Sequence, residues 1–443
     1  MAGKARDPVK TSIVSIIGRQ IWDSRGRPTV EAQVMLAGEA VGRAAAPAGA
    51  SRGRFEAIDL RDGGSRFGGY GVEQAVANAN GPIASALVGQ DAKDQAAIDL
   101  LLLELDGTSN FAKLGGNACV AVSLAVLHAA AASERIPLWR YLAQGTTTRL
   151  PLPEVQIFGG GAHAGRRIDI QDLMVMVPGA DSVREALEIT GDVYRAAGEL
   201  MAKAGTLAGT ADEGGWWPSF SSNEEALEML MRAIEHSGHR PGHDVFISLD
   251  IASSEFFRDG RYHLALDGSQ LDRDAMADLV EGWARRFPII SIEDPAAQDD
   301  APTMARLTKT LSNQLQIIGD DFLVTDAARV EQAAANGACT AVLIKVNQAG
   351  TVSRARRALQ AAKAKGWATI VSARSGETED TSIVDMSVGW DAGQLKVGSF
   401  ARSERMSKWN ELLRIEEAMG AGAKFAGWGA FPSTMRKRQS LTK

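Results

Sequence analysis

Only two of the 443 residues are cysteine, Cys119 and Cys339. With two thiols so far apart, a disulfide is the lesser reading. They read as small buried residues in a reducing compartment, which makes the cytoplasm the expected location. No block of Lys and Arg stands beside aromatic residues, and the formal net charge is −6, which argues against nucleic acid as a partner. No apolar run follows the basic residues of Met1–Lys10, so no secretory signal is expected. No apolar segment reads as long enough to span a bilayer, so no membrane partner is expected either. Short repeats and low-complexity stretches are missing as well.

What is present is a globular composition, 45% hydrophobic and 23% charged. A chain of 443 residues suits more than one core. Residues 12–36 alternate apolar and polar around Asp23-Ser24-Arg25-Gly26, the pattern of an antiparallel hairpin. From 71 to 143 the pattern is helical and alanine-rich, and "GGNACVAVSLAVLHAAAA" has small residues on every side, as a buried helix does. Gln144–Thr148 is a polar linker followed by Pro151 and Pro153. The boundary placed there gives a first domain over 12–145 and a second over 150–435.

The second domain repeats one grammar: a short apolar run, a charged residue, a loop, then a helical stretch. "VFISL" leads to Asp250, "PIISI" to Glu293, "LQIIG" to Asp320, "TAVLI" to Lys345, "ATIVSA" to Arg374 and "GQL" to Lys396. Met276, Leu279, Val280 and Trp283 mark one amphipathic helix. Arg354–Lys365 forms another, stopped by Gly366. Ser222 and Glu225 fit a capping box. After Glu293 the charged strand ends recur about every 25 residues, the size of a compact βα unit. Charge at successive carboxyl ends favours a barrel, where those ends converge on one face.

Three carboxylates converging at Asp250, Glu293 and Asp320 would repel unless a cation neutralised them, and an oxygen-only donor set suits Mg²⁺. The alternative is that each acid caps the helix after it. Lys345 and Lys396 end apolar strands; near metal charge such a lysine has its pKa lowered and can act as a base. The alternative is a salt bridge to a rim acid such as Asp321. "SARSGETED" places Arg374 and Ser375 as anion donors. "DEGG" at 212–215 and "GGGAH" at 159–163 are weak signals alone. The glycine-rich loop at 48–53 lacks the strand–helix context of a phosphate-binding P-loop.

Nine ordered stretches between Ile13 and Gly427 carry a resemblance: "DSRGRPTVEAQV", "GASRGRFEAIDLRDGG", "ADEGGWWP", "SNEEALE", "SIEDP", "GDDFLVTD", "LIKVNQAGT", "RSGETED" and "RSERMSKWNELLRIEEA". On these the chain resembles the enolase family. The resemblance implies an N-terminal α+β domain followed by an enolase-type, modified (β/α) barrel, and commonly a homodimer. It implies a lyase removing water from 2-phosphoglycerate or a close phosphorylated or phosphonylated analogue. Asp250, Glu293 and Asp320 would hold one Mg²⁺, and Ser51 would help bind a second with the phosphoryl group. Lys345 would remove the proton beside the carboxylate and Lys396 would stabilise the charge formed, a pattern established for the enolase superfamily. Glu213 would protonate the departing hydroxyl, and His163, Arg374 and Ser375 would contact the phosphoryl end.

Around that end the sequence departs from the family. Asp172 stands where Glu is usual, Ala373 where His is usual, and Ala48 and Arg52 where Ser and Thr are usual. Gly159 replaces Asn, and Trp216-Trp217 replaces Phe-Ala. Asp for Glu withdraws a carboxylate by about 1.5 Å, and a misplacement of about 1 Å near the chemistry costs about a hundredfold in rate. Space at Ala373 and a cation at Arg52 suit a more anionic head group. Carboxyphosphonoenolpyruvate synthases of phosphonate-antibiotic pathways, which resemble enolase, handle such a substrate. A slower ordinary enolase, or an enolase-like binding protein without catalysis, are the other readings; the intact acids and lysines count against the last.

Overall fold

The computed structural model describes residues 9–51 and 53–435. Arg52 therefore lies outside the described residues.

The opening hairpin forms because Asp23 organises its turn. Its Oδ1 accepts the backbone N–H groups of Arg25 and Arg27, both at 2.9 Å. Strands β1 (Ile13–Trp22) and β2 (Pro28–Leu36) pair antiparallel across it, and β3 (Val41–Ala45) adds to β2. This third strand is new relative to the sequence reading; "VGRAA" is too short and too poor in large apolar residues to announce itself.

Val30, Ala32 and Val34 of β2 are buried, and the sheet packs on the helix Gly116–Ser133. Gly42 makes the close approach possible, since a Cβ there would collide with the helix backbone at Ala125 and Ala129. The helix also corrects an expectation. Its 18 residues are long and apolar enough to cross a membrane, but 83% of them are buried inside the protein. Its apolarity matches its place between the sheet and the surrounding helices.

The second unit is a closed barrel of eight strands: β4 (Leu152–Gly159), β5 (Asp172–Met176), β6 (Phe246–Asp250), β7 (Ile289–Glu293), β8 (Gln316–Gly319), β9 (Ala341–Ile344), β10 (Ala368–Ser372) and β11 (Gly393–Gly398). Pairing of β11 with β4 closes it. Seven strands run in parallel, whereas β5 is antiparallel to both β4 and β6. The departure from simple βα order in the first units is thus one reversed strand. Lys396 lies inside β11 rather than at its end, because that strand runs on to Gly398.

Helices fall where periodicity places them, at Arg273–Arg286 and Val352–Ala364, the latter followed by Gly366 at φ 72°. Ser222 caps Asn223–His236 by accepting from Glu225 N at 3.0 Å. The reciprocal half of the box is displaced by one residue: Glu225 accepts from the amide and hydroxyl of Ser221, each at 2.6 Å.

Candidate active site

Asp250 and Glu293 end β6 and β7, and Asp320 directly follows β8, so all three reach one rim of the barrel. They do not cap helices. The caps near them are Asp272, Asp300 and Asp326, whose side chains accept from Ala275, Thr303 and Arg329. The three rim acids are buried around two lysines. Lys396 Nζ lies 2.8 Å from Glu293 Oε2, 3.0 Å from Asp250 Oδ2 and 3.4 Å from Asp172 Oδ2. Lys345 pairs with Asp320 rather than Asp321, and Gln348 Nε2 donates to the same carboxylate at 2.8 Å.

Burial opposes charge on both lysines, but the carboxylates outweigh it. Asp320 leads in raising Lys345, and Asp250 and Glu293 raise Lys396 well above its ordinary range. The shift at Lys345 is opposite to that anticipated for a lysine beside a metal, because its closest charge is a carboxylate. Burial and then the neighbouring Asp250 push Glu293 well up.

The donor set fits Mg²⁺. It is all oxygen, and both Glu293 Oε1 and Gln171 Oε1 are buried with no hydrogen-bond partner among the described residues. Asp294 supports this rim in an unusual backbone conformation, φ 40°. Its carboxylate accepts the amides of Asp320 and Asp321 at 2.9 and 2.7 Å, tying the end of β7 to the turn after β8. Burial and then Asp320 lift Asp321 to about 8.

Joined to this rim is a second buried group. As the first residue of the reversed strand, Asp172 pairs in register with Asp250 and Gly159 and so reaches the same rim from a strand start. Its Oδ1 accepts from Gln156 Nε2 and lies 3.0 Å from His163 Nδ1. His163 Nε2 faces Ser375 Oγ at 3.2 Å and Glu213 Oε1 at 3.6 Å. Glu213 sits in the turn Asp212–Gly215, whose Gly215 N–H donates to Gln156 Oε1 at 2.8 Å. Burial resists a charge on His163, yet Glu213 and Asp172 outweigh it and lift the ring to about 9. Burial likewise resists a charge on Asp172, and His163 and Lys396 hold it below the usual carboxylate range.

A third group of contacts is built on Arg374, 4% exposed. Its guanidinium meets Glu56 Oε2 and Asn347 Oδ1, both at 3.1 Å, and Ser51 O at 2.9 Å. Ser375 Oγ accepts from Ala50 N at 3.1 Å, so the loop carrying Ser51 is joined to both residues. A Cβ at Gly49 would collide with the Arg374 guanidinium. Ala373 is buried, its amide donating to Lys396 O at 2.9 Å.

Reading the sequence missed Gln156, Gln348, Glu56, Asp294 and Arg405. Four lie inside or beside the family-like stretches without announcing a role. A glutamine interrupting the apolar run "VQIF" was the one available signal for Gln156.

The enolase N-terminal domain matches residues 13–142, and the enolase C-terminal TIM barrel domain matches residues 147–433. The chain belongs to the enolase family.

Proposed function

We propose that this enolase-superfamily protein is a Mg²⁺-dependent hydro-lyase acting on 2-phosphoglycerate or a close phosphorylated or phosphonylated analogue. The observation that carries the reading is the meeting of two buried groups at one rim: Asp250, Glu293 and Asp320 with their two lysines, and Glu213 with His163, joined by Asp172, which lies beside both Lys396 and His163. Elimination of water needs a base and an acid on opposite sides of a carbon–carbon bond. Lys345 takes the proton beside the substrate carboxylate. Glu213 protonates the departing hydroxyl. Lys396 sets a fixed positive charge near the carboxylate as negative charge develops on it. Asp250, Glu293 and Asp320 would hold Mg²⁺, and Ser51 a second ion with the phosphoryl group. Bound Mg²⁺ would stabilise negative charge on the substrate carboxylate.

Ultraviolet detection of enolpyruvate from purified protein, Mg²⁺ and 2-phosphoglycerate tests this. Turnover abolished by Lys345→Ala supports it. Mg²⁺ binding without turnover of 2-phosphoglycerate would instead favour a carboxylated phosphonate substrate, the carboxyphosphonoenolpyruvate synthase reading. Ala373 supports that reading, since it offers only a methyl group beside Arg374. Failure to bind Mg²⁺ would leave an enolase-like binding protein.

A further inference from the structure

The helices Gln95–Asp106 and Val352–Ala364 border a cleft of about 360 Å³ that shares no residue with the rim groups. Small-molecule sites begin at about 300 Å³. The wall from the first helix is apolar, made by Ala96, Leu100 and Leu103, and Leu100 is 53% exposed. The wall from the second is basic, made by Arg354, Arg356 and Arg357. Its charge is poorly balanced from within the chain. Among the described residues the Arg357 guanidinium has no hydrogen-bond or ion-pair partner. Arg356 reaches only Gln144 Oε1, at 3.3 Å, and Arg354 lies 4.0 Å from Asp326. Elsewhere on the helices Arg286 pairs with Glu224, and Arg306 with Asp274 and Asp278. The carboxylate lining the cleft, Asp99, is buried and already engaged: Oδ2 accepts Ser353 N at 2.7 Å and Oδ1 accepts Ser123 Oγ at 2.6 Å. At the floor Thr351 is fully buried, and its hydroxyl neither caps the second helix nor meets a partner among the described residues.

We propose that this cleft binds a single-chain amphipathic anion, an alkyl carboxylate or alkyl phosphate, with its chain on Leu100 and Leu103 and its head group on Arg356 and Arg357. The two walls together select that chemistry. A neutral apolar ligand would leave the guanidiniums without an anion, and a bare inorganic anion would leave Leu100 in water. Carboxylate and phosphate oxygens both match the planar fork of a guanidinium. The occupant would bridge the two family domains, because one wall belongs to residues 13–142 and the other to residues 147–433. Those domains are already tied at this point, by Ser353 N to Asp99 and by Val352 N to Ser123 Oγ at 3.1 Å. A ligand bound across them should raise the melting temperature. The site stands independently of the dehydration reading.

Calorimetric titration of the full chain with octyl phosphate and with octanoate, each below its micelle concentration, tests this, with inorganic phosphate as the control. At least one of the two amphiphiles binds and raises the melting temperature, and the tighter of them identifies the head group. The double variant Arg356→Gln, Arg357→Gln weakens that binding at least about tenfold, as loss of charge-assisted hydrogen bonds does. Leu100→Gln weakens it at least about threefold through lost apolar contact. Both sets of changes lie on the surface and leave the melting temperature without ligand close to normal. Binding unchanged in the double variant would put the ligand elsewhere, such as at the barrel rim, and overturn the proposal. Inorganic phosphate binding as tightly as octyl phosphate would mean a bare anion site and overturn it too. Binding of neither amphiphile also overturns it; a change of sedimentation in the double variant would then show a second copy of this chain covering the cleft.

Discussion

Lys396 Nζ lies 2.8 Å from Glu293 Oε2, while the other oxygen of that carboxylate, Oε1, is buried with no hydrogen-bond partner among the described residues. One oxygen is neutralised from within the chain and the other is left for an external donor or cation. Removing the ammonium leaves Asp250 and Glu293 buried without their shared partner, a loss that typically costs about 3–5 kcal/mol. Lys396→Met should therefore lower the melting temperature in EDTA. Added Mg²⁺ should raise it more in the variant than in the unmutated protein. Equal Mg²⁺ shifts in the two proteins would rule out these acids as the metal's ligands.

Arg405 is fully buried and donates to Arg374 O at 2.7 Å, Ser375 O at 2.6 Å and Val397 O at 2.9 Å. It holds Arg374 and Ser375 against β11 through their backbone. Lysine cannot reproduce a planar fork of donors. Arg405→Lys should destabilise the protein by about 2–4 kcal/mol, from carbonyls left unpaired. Turnover should fall at least about tenfold, since displacement near the chemistry is costly. Urea unfolding and steady-state kinetics check this, and unchanged kinetics would show that Arg374 and Ser375 keep their places without it.

Asp385 accepts the backbone N–H of Trp139 at 3.0 Å, and burial raises its carboxyl to about 7. The folded chain then keeps a proton that the unfolded chain releases, so stability falls as pH rises from about 4 to about 7. The slope amounts to up to about 4 kcal/mol. Asp385→Asn keeps the acceptor and removes the slope. It should raise the melting temperature at pH 8 and change it less at pH 5. A shift of the same size at both pH values would contradict the assignment.

Gly42 brings β3 against the backbone of Gly116–Ser133, at a distance where a methyl group already collides. Gly42→Ala should cost about 1–3 kcal/mol or more by overpacking. Because the change lies in the N-terminal sheet, turnover per folded molecule should stay close to normal. Thermal denaturation reads the first effect and active-site titration the second. An unchanged melting temperature would mean that the helix can shift freely.

The sequence alone determined the repeated unit of strand and helix, the family and the identity of the charged residues at the strand ends. Those features depend on local periodicity and on which side chain follows an apolar run, and both can be read along the chain. Only the tertiary structure decided the partners. Lys345 takes Asp320 and not Asp321, and Lys396 stands among Asp172, Asp250 and Glu293, because barrel closure brings β11 beside β4 and the reversed β5 presents its first residue to the common rim. No pattern along the sequence encodes that reversal. Gln156 is the clearest case: its two hydrogen bonds reach residues 16 and 59 positions away. Its role comes from long-range contacts, and those exist only once the barrel has closed.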